Sequence, residues 1–171
     1  MDAGMPINDL QTLLDRERIR DLVHRYALAI DSRDWQAYRA CFTDEVALDF
    51  AAASGAPPTW RTRSADDWVA ECQAFFSRLT ATQHIPALLA VDIAGDRATG
   101  FKQLHAQHYC NRFPAPVQTM TGRYAFEAVR DGDRWRFARL RLHVGWMEGD
   151  PAIIAYAYGN DGVLPASTAA R

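Results

Sequence analysis

A chain of 171 residues, 49% of them hydrophobic, has the size and apolar content of one domain with a substantial core. Its formal net charge is −2, with Lys and Arg scattered along the chain, which leaves no basic face for nucleic acid or an anionic membrane. No apolar run approaches the roughly 18–20 residues needed to span a bilayer. The first six residues lack a signal-peptide pattern, and Cys41, Cys72 and Cys110 are odd in number and far apart, so reduced core thiols in a cytoplasmic protein are expected.

From about Asp15 to Ile30 the spacing predicts a helix. Ile19, Leu22, Val23, Tyr26 and Ile30 fall on one stripe, while Arg16, Glu17, Arg20 and Asp21 point outward. The Asp31-Ser-Arg-Asp34 step ends it, and Asp34 can cap a short second helix carrying Trp35, Tyr38 and Phe42. Thr43-Asp44-Glu45 is expected as a turn, followed by a strand with Val46, Leu48 and Phe50 on one side. The stretch from Ala51 to Thr62 holds Gly55, Pro57 and Pro58 and is expected as a loop. Ser64-Ala-Asp-Asp67 resembles a capping box opening a third helix, whose stripe is Trp68, Val69, Cys72, Phe75, Phe76 and Leu79.

From about His84 to Trp146 the pattern is one of strands, with tight turns at Ala94-Gly95-Asp96-Arg97 and Asp131-Gly132-Asp133. In the last long strand the large apolar residues change parity, from Trp135 and Phe137 to Leu140, Leu142 and Val144. That switch predicts a β-bulge near Ala138–Arg139. The tail from Pro165 to Arg171 is small and polar and is expected to fray. Helices followed by a mainly antiparallel, strongly bent sheet make the class α+β.

Three polar residues stand out from apolar surroundings: Asp31 at the end of the first helix, His84 in Thr82-Gln-His84, and His108 in His105-Ala-Gln-His108. A carboxylate can fix one tautomer of an imidazole, which can then take a proton near neutral pH. If Gly95-Asp96-Arg97 is a three-residue loop, counting back sets His84 directly opposite His108; a two-residue loop turns His108 to the other face. The three-residue loop is the preferred reading. Each residue also has a plainer explanation: Asp31 as a turn former, His84 as a complement to a helix C-terminus, His108 as a strand histidine bonded to backbone. His105 and His108 face opposite sides of a strand, so no metal site is expected. The chain has no Gly-x-Ser-x-Gly elbow, no phosphate-binding loop and no dinucleotide fingerprint, so no cofactor is expected either.

Several segments, taken in order, resemble the SnoaL-like group of the nuclear-transport-factor-2-like superfamily. They are Ile19-Arg-Asp-Leu-Val-His-Arg-Tyr26, Asp31-Ser-Arg-Asp-Trp35, Thr82-Gln-His84, Gly95-Asp96-Arg-Ala98, Gln107-His108-Tyr109, Gly122-Arg-Tyr124 and Asp133-Arg-Trp135-Arg-Phe137. The resemblance covers about residues 10–157. It implies a cone-shaped, cystatin-like α+β barrel with a deep apolar pocket, an extension at residues 1–9 and a tail at 158–171. Among the enzymes of the group, scytalone dehydratase carries an aspartate and two histidines that match Asp31, His84 and His108. Lindane dehydrochlorinase uses an aspartate–histidine base, and bile-acid 7α-dehydratase adds a tyrosine that Tyr26 could supply.

Two tyrosines that scytalone dehydratase uses to polarise its substrate correspond to Ile30 and Phe50, which cannot donate a hydrogen bond. Tyr26 and Arg123 are the candidates to replace them. The resemblance implies a cofactor-independent lyase on a small hydrophobic ring compound, with Asp31 and His84 as base, His108 as acid, and Phe50, Arg123 and Trp146 at the substrate. An isomerase or cyclase could use the same parts. The rival is a non-catalytic ligand-binding protein, or an assembly protein like a dioxygenase small subunit. Relatives are commonly dimers or trimers, so a homo-oligomer is expected.

Overall fold

The computed structural model describes residues 10–50, 57 and 59–160. In chain order its elements are α1 (Leu10–Ser32), α2 (Trp35–Arg39), β1 (Phe42–Asp49), β2 (Arg61–Ser64), α3 (Ala65–Ser77), β3 (Ala81–Ala94), β4 (Arg97–Tyr109), β5 (Val117–Asp131), β6 (Arg134–Gly149) and α4 (Ala152–Ala157). The strands form one open, curved sheet in the order β2-β1-β6-β5-β4-β3, antiparallel except for the β1–β6 pair. The class is therefore α+β, with helices packed on the inner face of the sheet.

The helical stripe on α1 is buried as its spacing predicts. Asp15 is buried with it, because Arg130 grips its carboxylate at 2.5 and 2.7 Å and the Trp135 indole donates to it at 3.1 Å. That network pins the start of α1 to the β5–β6 hairpin. The caps of α2 and α3 also form: Asp34 accepts from the Ala37 amide at 2.9 Å, and Ser64 from the Asp67 amide at 3.0 Å.

Other expectations are corrected. Thr43-Asp44-Glu45 lies inside β1 rather than in a turn, because Glu45 pairs with Ser64 while the Thr43 hydroxyl reaches the Phe137 carbonyl. Phe42 belongs to β1, not to the second helix, and Phe50 lies just past the strand's end. Arg61 and Thr62, expected in a loop, form half of edge strand β2. Most of the remaining Ala51–Thr62 segment and the Pro165–Arg171 tail lie outside the described residues.

The bulge predicted near Ala138–Arg139 is present: Glu127 pairs with Arg139 and Ala128 with Phe137, which leaves Ala138 unopposed. A further bulge decides the site. The β3–β4 turn is a two-residue turn, with Ala94 opposite Arg97 and Gly95 at φ 59°, and not the three-residue loop expected. Further along, Leu88 pairs with Lys102 and Ala90 with Phe101, so Leu89 is the extra residue. The inward set on β3 then changes from Val91 and Ile93 to Leu88, Pro86, His84 and Thr82. Gly100 makes room for this bulge: a Cβ there would sit 2.4 Å from the Ala90 carbonyl oxygen.

Candidate active site

Asp31 lies in the last turn of α1 rather than beyond it. The helix closes on Arg33, which adopts φ 60°, with the Arg33 amide bonded to the Ile30 carbonyl and the Asp34 amide to the Ala29 carbonyl. This is the Schellman ending that glycine normally supplies. Arginine holds it because its guanidinium donates to the Ile30 carbonyl (2.7 Å) and the Thr82 hydroxyl (2.8 Å) and lies 5.5 Å from the Phe76 ring centroid. Since Thr82 accepts from Arg33, its own proton goes to Asp31 Oδ1 at 2.9 Å.

The Asp31 carboxylate receives two further bonds, both from His84. The backbone N–H donates to Oδ2 at 2.6 Å and ring Nδ1 meets Oδ1 at 2.6 Å. Partial burial works against ionisation of Asp31, but the bonds from His84 and Thr82 outweigh it and hold the carboxyl below the usual range. A carboxylate accepting at Nδ1 fixes the Nδ1–H tautomer, so Nε2 is the remaining, basic nitrogen of a ring that lines the cavity.

His108 does not oppose His84. Its partner across the ladder is Thr82, while His84 pairs with Ala106. The Leu89 bulge nevertheless puts all four on one face, and the imidazole centroids lie 6.0 Å apart at 90°. Behind His108, the Gln118 amide donates to the Thr119 carbonyl at 3.0 Å, so its oxygen accepts from His108 Nδ1 at 2.9 Å. Burial, with the neighbouring His84 adding to it, pushes the His108 pKa down to about 4. His108 is thus neutral near pH 7, with Nδ1 donating to Gln118 and Nε2 as the acceptor.

Between the helices and the sheet lies a cavity of ≈ 140 Å³. Its lining is chiefly aromatic, including Phe50, Trp68, Phe75 and Phe76, with His84 and His108 among them. At its buried end stand Tyr26, Tyr38 and Tyr124, of which only Tyr26 was expected. The Tyr26 ring centroid lies 5.2 Å from that of Tyr38 and 6.1 Å from that of Tyr124, and the Tyr38 hydroxyl approaches the Cys72 sulfur at 3.7 Å. Phe50 also lines the cavity, with its ring centroid 4.8 Å from that of Trp68 and 5.6 Å from that of Tyr124.

Two expected substrate contacts are elsewhere. Arg123 is exposed, because alternation on β5 turns Tyr124 inward and Arg123 outward, 5.7 Å from the Phe101 ring centroid. Trp146 is 64% exposed. A bulge at Gly145, between the pairs Gly122–Val144 and Thr121–Trp146, turns it onto the outer face. His105 also faces outward, and among the described residues no group of three His, Cys, Asp or Glu side chains is placed to hold a metal ion. Thr82, Gln118 and Arg33 were missed as parts of the site. The only sequence signal for them was a polar residue at an inward strand position, or an arginine within a helix-ending step.

A SnoaL-like domain family model matches residues 11–141. The chain belongs to the SnoaL-like family. A relative of known structure, the Kfla4162 protein of Kribbella flavida, is 31% identical over 86% of this chain and 99% of that one, with a TM-score of 0.73. A candidate scytalone dehydratase from Novosphingobium aromaticivorans DSM 12444 superposes with a TM-score of 0.69 at 17% identity, over 80% of this chain and 88% of that one. Hexachlorocyclohexane dehydrochlorinase LinA-type3 from Novosphingobium barchaimii LL02 does so with a TM-score of 0.65 at 18% identity, over 84% and 94%. At those identities the likeness is one of fold. No match was found among the curated proteins. Among the described residues no helix is long and apolar enough to cross a membrane.

Proposed function

We propose that this SnoaL-like protein is a lyase that removes water, or a similar leaving group, from a small hydrophobic ring compound. The observation that carries the reading is the Asp31 carboxylate bonded to both the ring and the backbone N–H of His84, with the opposite ring nitrogen at an apolar cavity. His84 Nε2 takes the proton from a carbon next to a carbonyl, and Asp31 stabilises the imidazolium that forms. The electrons of the broken C–H bond move into the ring system, with negative charge growing on the carbonyl oxygen against the Tyr26 hydroxyl. They return to form the carbon–carbon double bond as the C–O bond breaks.

His108 is held neutral, so the proton for the departing hydroxyl comes from His84 itself: Nε2–H hands it to the leaving oxygen and water departs. His108 Nε2 accepts the hydrogen bond of that hydroxyl and turns its lone pairs toward His84. The proton taken from carbon thus leaves in the water, and the enzyme ends as it began. With no leaving group, the same transfer returns the proton to another carbon, which is isomerisation. The neighbourhood of a candidate dehydratase and a dehydrochlorinase on the same fold is consistent with this chemistry. The cavity is about the size of one that holds a single six-membered ring.

The test is a panel of cyclic β-hydroxy ketones and simple cyclic ketones in D₂O, followed by NMR for loss of water and for exchange of the α-proton. Wild-type protein should catalyse one or both, and His84→Ala should lower the rate by roughly 10²–10⁴-fold. Wild-type rates in a folded His84→Ala protein would leave ligand binding without catalysis as the function.

A further inference from the structure

Lys102 is the only lysine in the chain; every other of the 19 Lys and Arg residues is arginine. It sits on the inward face of β4, in the row Lys102, Leu104, Ala106, His108, and is 1% exposed. Its ammonium nitrogen lies 3.4 Å from the Tyr26 ring centroid, 4.3 Å from that of Tyr124 and 5.3 Å from that of Phe137. Among the described residues no carboxylate forms an ion pair with it. The titratable groups around it are Tyr26 from α1, Tyr124 from β5 and the Cys41 thiol.

A buried cation without a counter-ion is costly, and aromatic faces offset only part of that cost. Arginine could not shed its proton here; lysine can, and burial lowers its pKa to about 7. The two rings nearest the ammonium, Tyr26 and Tyr124, both belong to residues that line the cavity.

We propose that Lys102 is the counter-charge beneath that end of the cavity, so that the site takes a ligand whose carbonyl or phenolic oxygen, set against the Tyr26 and Tyr124 hydroxyls, carries negative charge. The missing carboxylate is supplied by the ligand. Lys102 is a positioning residue: it acts through the two tyrosines, which touch the oxygen, and favours the enolate over the ketone in the reaction proposed above. The inference rests on that reading for its role in turnover, but its preference for an oxyanion can be measured without turnover.

The probe is 4-nitrophenol, whose ionisation falls near neutral pH and is read from its absorbance. Wild-type protein should bind the phenolate roughly tenfold or more tightly than the phenol, a fall of about one unit in the pKa of the bound probe. Lys102→Met should bind the probe without that fall and should melt no lower than wild type, since an apolar isostere replaces an uncompensated charge. His84→Ala should keep the fall. In protein labelled with ¹⁵N-lysine the single side-chain signal should titrate at a higher pH once the phenolate is bound, as linkage requires.

Absence of phenolate preference in wild-type protein would overturn the proposal. So would a preference that survives in Lys102→Met, or one lost in His84→Ala but kept in Lys102→Met, which would assign the charge to His84. Should Lys102→Met not fold, an unmoved lysine titration in the wild type overturns it equally. A Lys102-dependent preference in a protein that neither exchanges nor eliminates would uphold the oxyanion site and remove the lyase reading.

Discussion

His84 and His108 sit two positions apart along the β3–β4 ladder, with imidazole centroids 6.0 Å apart, and they share a face only because Leu89 is an extra residue in β3. One of them is bound through Nδ1 to a carboxylate and the other through Nδ1 to an amide oxygen. The two imidazoles therefore have partners of different charge, and both present Nε2 as the remaining ring nitrogen.

Asp31→Asn should cut turnover by roughly 10²–10⁴-fold with the fold intact, because an amide does not hold the productive tautomer or stabilise the imidazolium. Its effect on stability has a definite sign. The Asp31 carboxyl ionises below its ordinary value of 3.8, burial being outweighed by the bonds from His84 and Thr82. Its stabilisation is therefore complete above pH 3.8 and is lost as pH falls through the lower, folded value. Melting curves of both proteins should converge as the pH is taken below the carboxylate range; a constant gap would show that the ionised form is not what the bonds stabilise.

His108 should contribute no proton-donating limb to the activity profile between pH 6 and 8. Its pKa is lowered by burial from 6.5 to about 4, so between those values the unfolded chain binds a proton that the folded one does not. Stability should consequently rise with pH across that window, and His108→Gln should flatten the rise. Gln118→Glu should do the reverse by facing Nδ1 with a carboxylate, raising the His108 pKa in an NMR titration. An unchanged titration would mean that Gln118 does not set the ring's charge.

Gly100→Ala should destabilise the protein by about 1–3 kcal/mol, the range for forcing extra atoms into a packed site. The added Cβ would fall 2.4 Å from the Ala90 carbonyl oxygen and 2.7 Å from the Phe126 ring, and backbone cannot step aside cheaply. Because Gly100 shapes the Leu89 bulge, the variant should also lose activity in excess of any loss of folded protein. Equal Tm and activity in the two proteins would show that the bulge does not need glycine.

Asp15→Ala should cost about 1–3 kcal/mol, the range for removing one partner of a charged hydrogen-bond network and leaving a buried donor unsatisfied. It leaves the Trp135 indole without its acceptor and Arg130 with Asp96 as its remaining carboxylate partner. The residue is far from Asp31 along α1, so kcat at a temperature well below melting should match wild type. A selective loss of kcat would instead tie the α1 anchor to the active site.

Local chemistry was sufficient for much of this. Helical spacing marked the buried stripe of α1, Asp34 and Ser64 marked two helix starts, and a parity change in Trp135–Val144 marked the Ala138 bulge, because each signal lies within a few consecutive residues. Asp31, His84, His108 and Tyr26 were legible as polar residues in family-like segments, and Phe50 as the match to a scytalone dehydratase tyrosine. The exposed Arg123 and Trp146 were misplaced because a residue's face depends on strand register, and register depends on bulges that the partner strand helps to set. The same reason separates His84 from direct opposition to His108: the Leu88-Leu89-Ala90-Val91 run is apolar on both faces, so its sequence does not mark where the extra residue falls. Only the packed sheet decides that, and with it which side chains stand behind the imidazoles: Thr82 and Arg33 on one side, Gln118 on the other, and the Lys102 ammonium beneath the tyrosines.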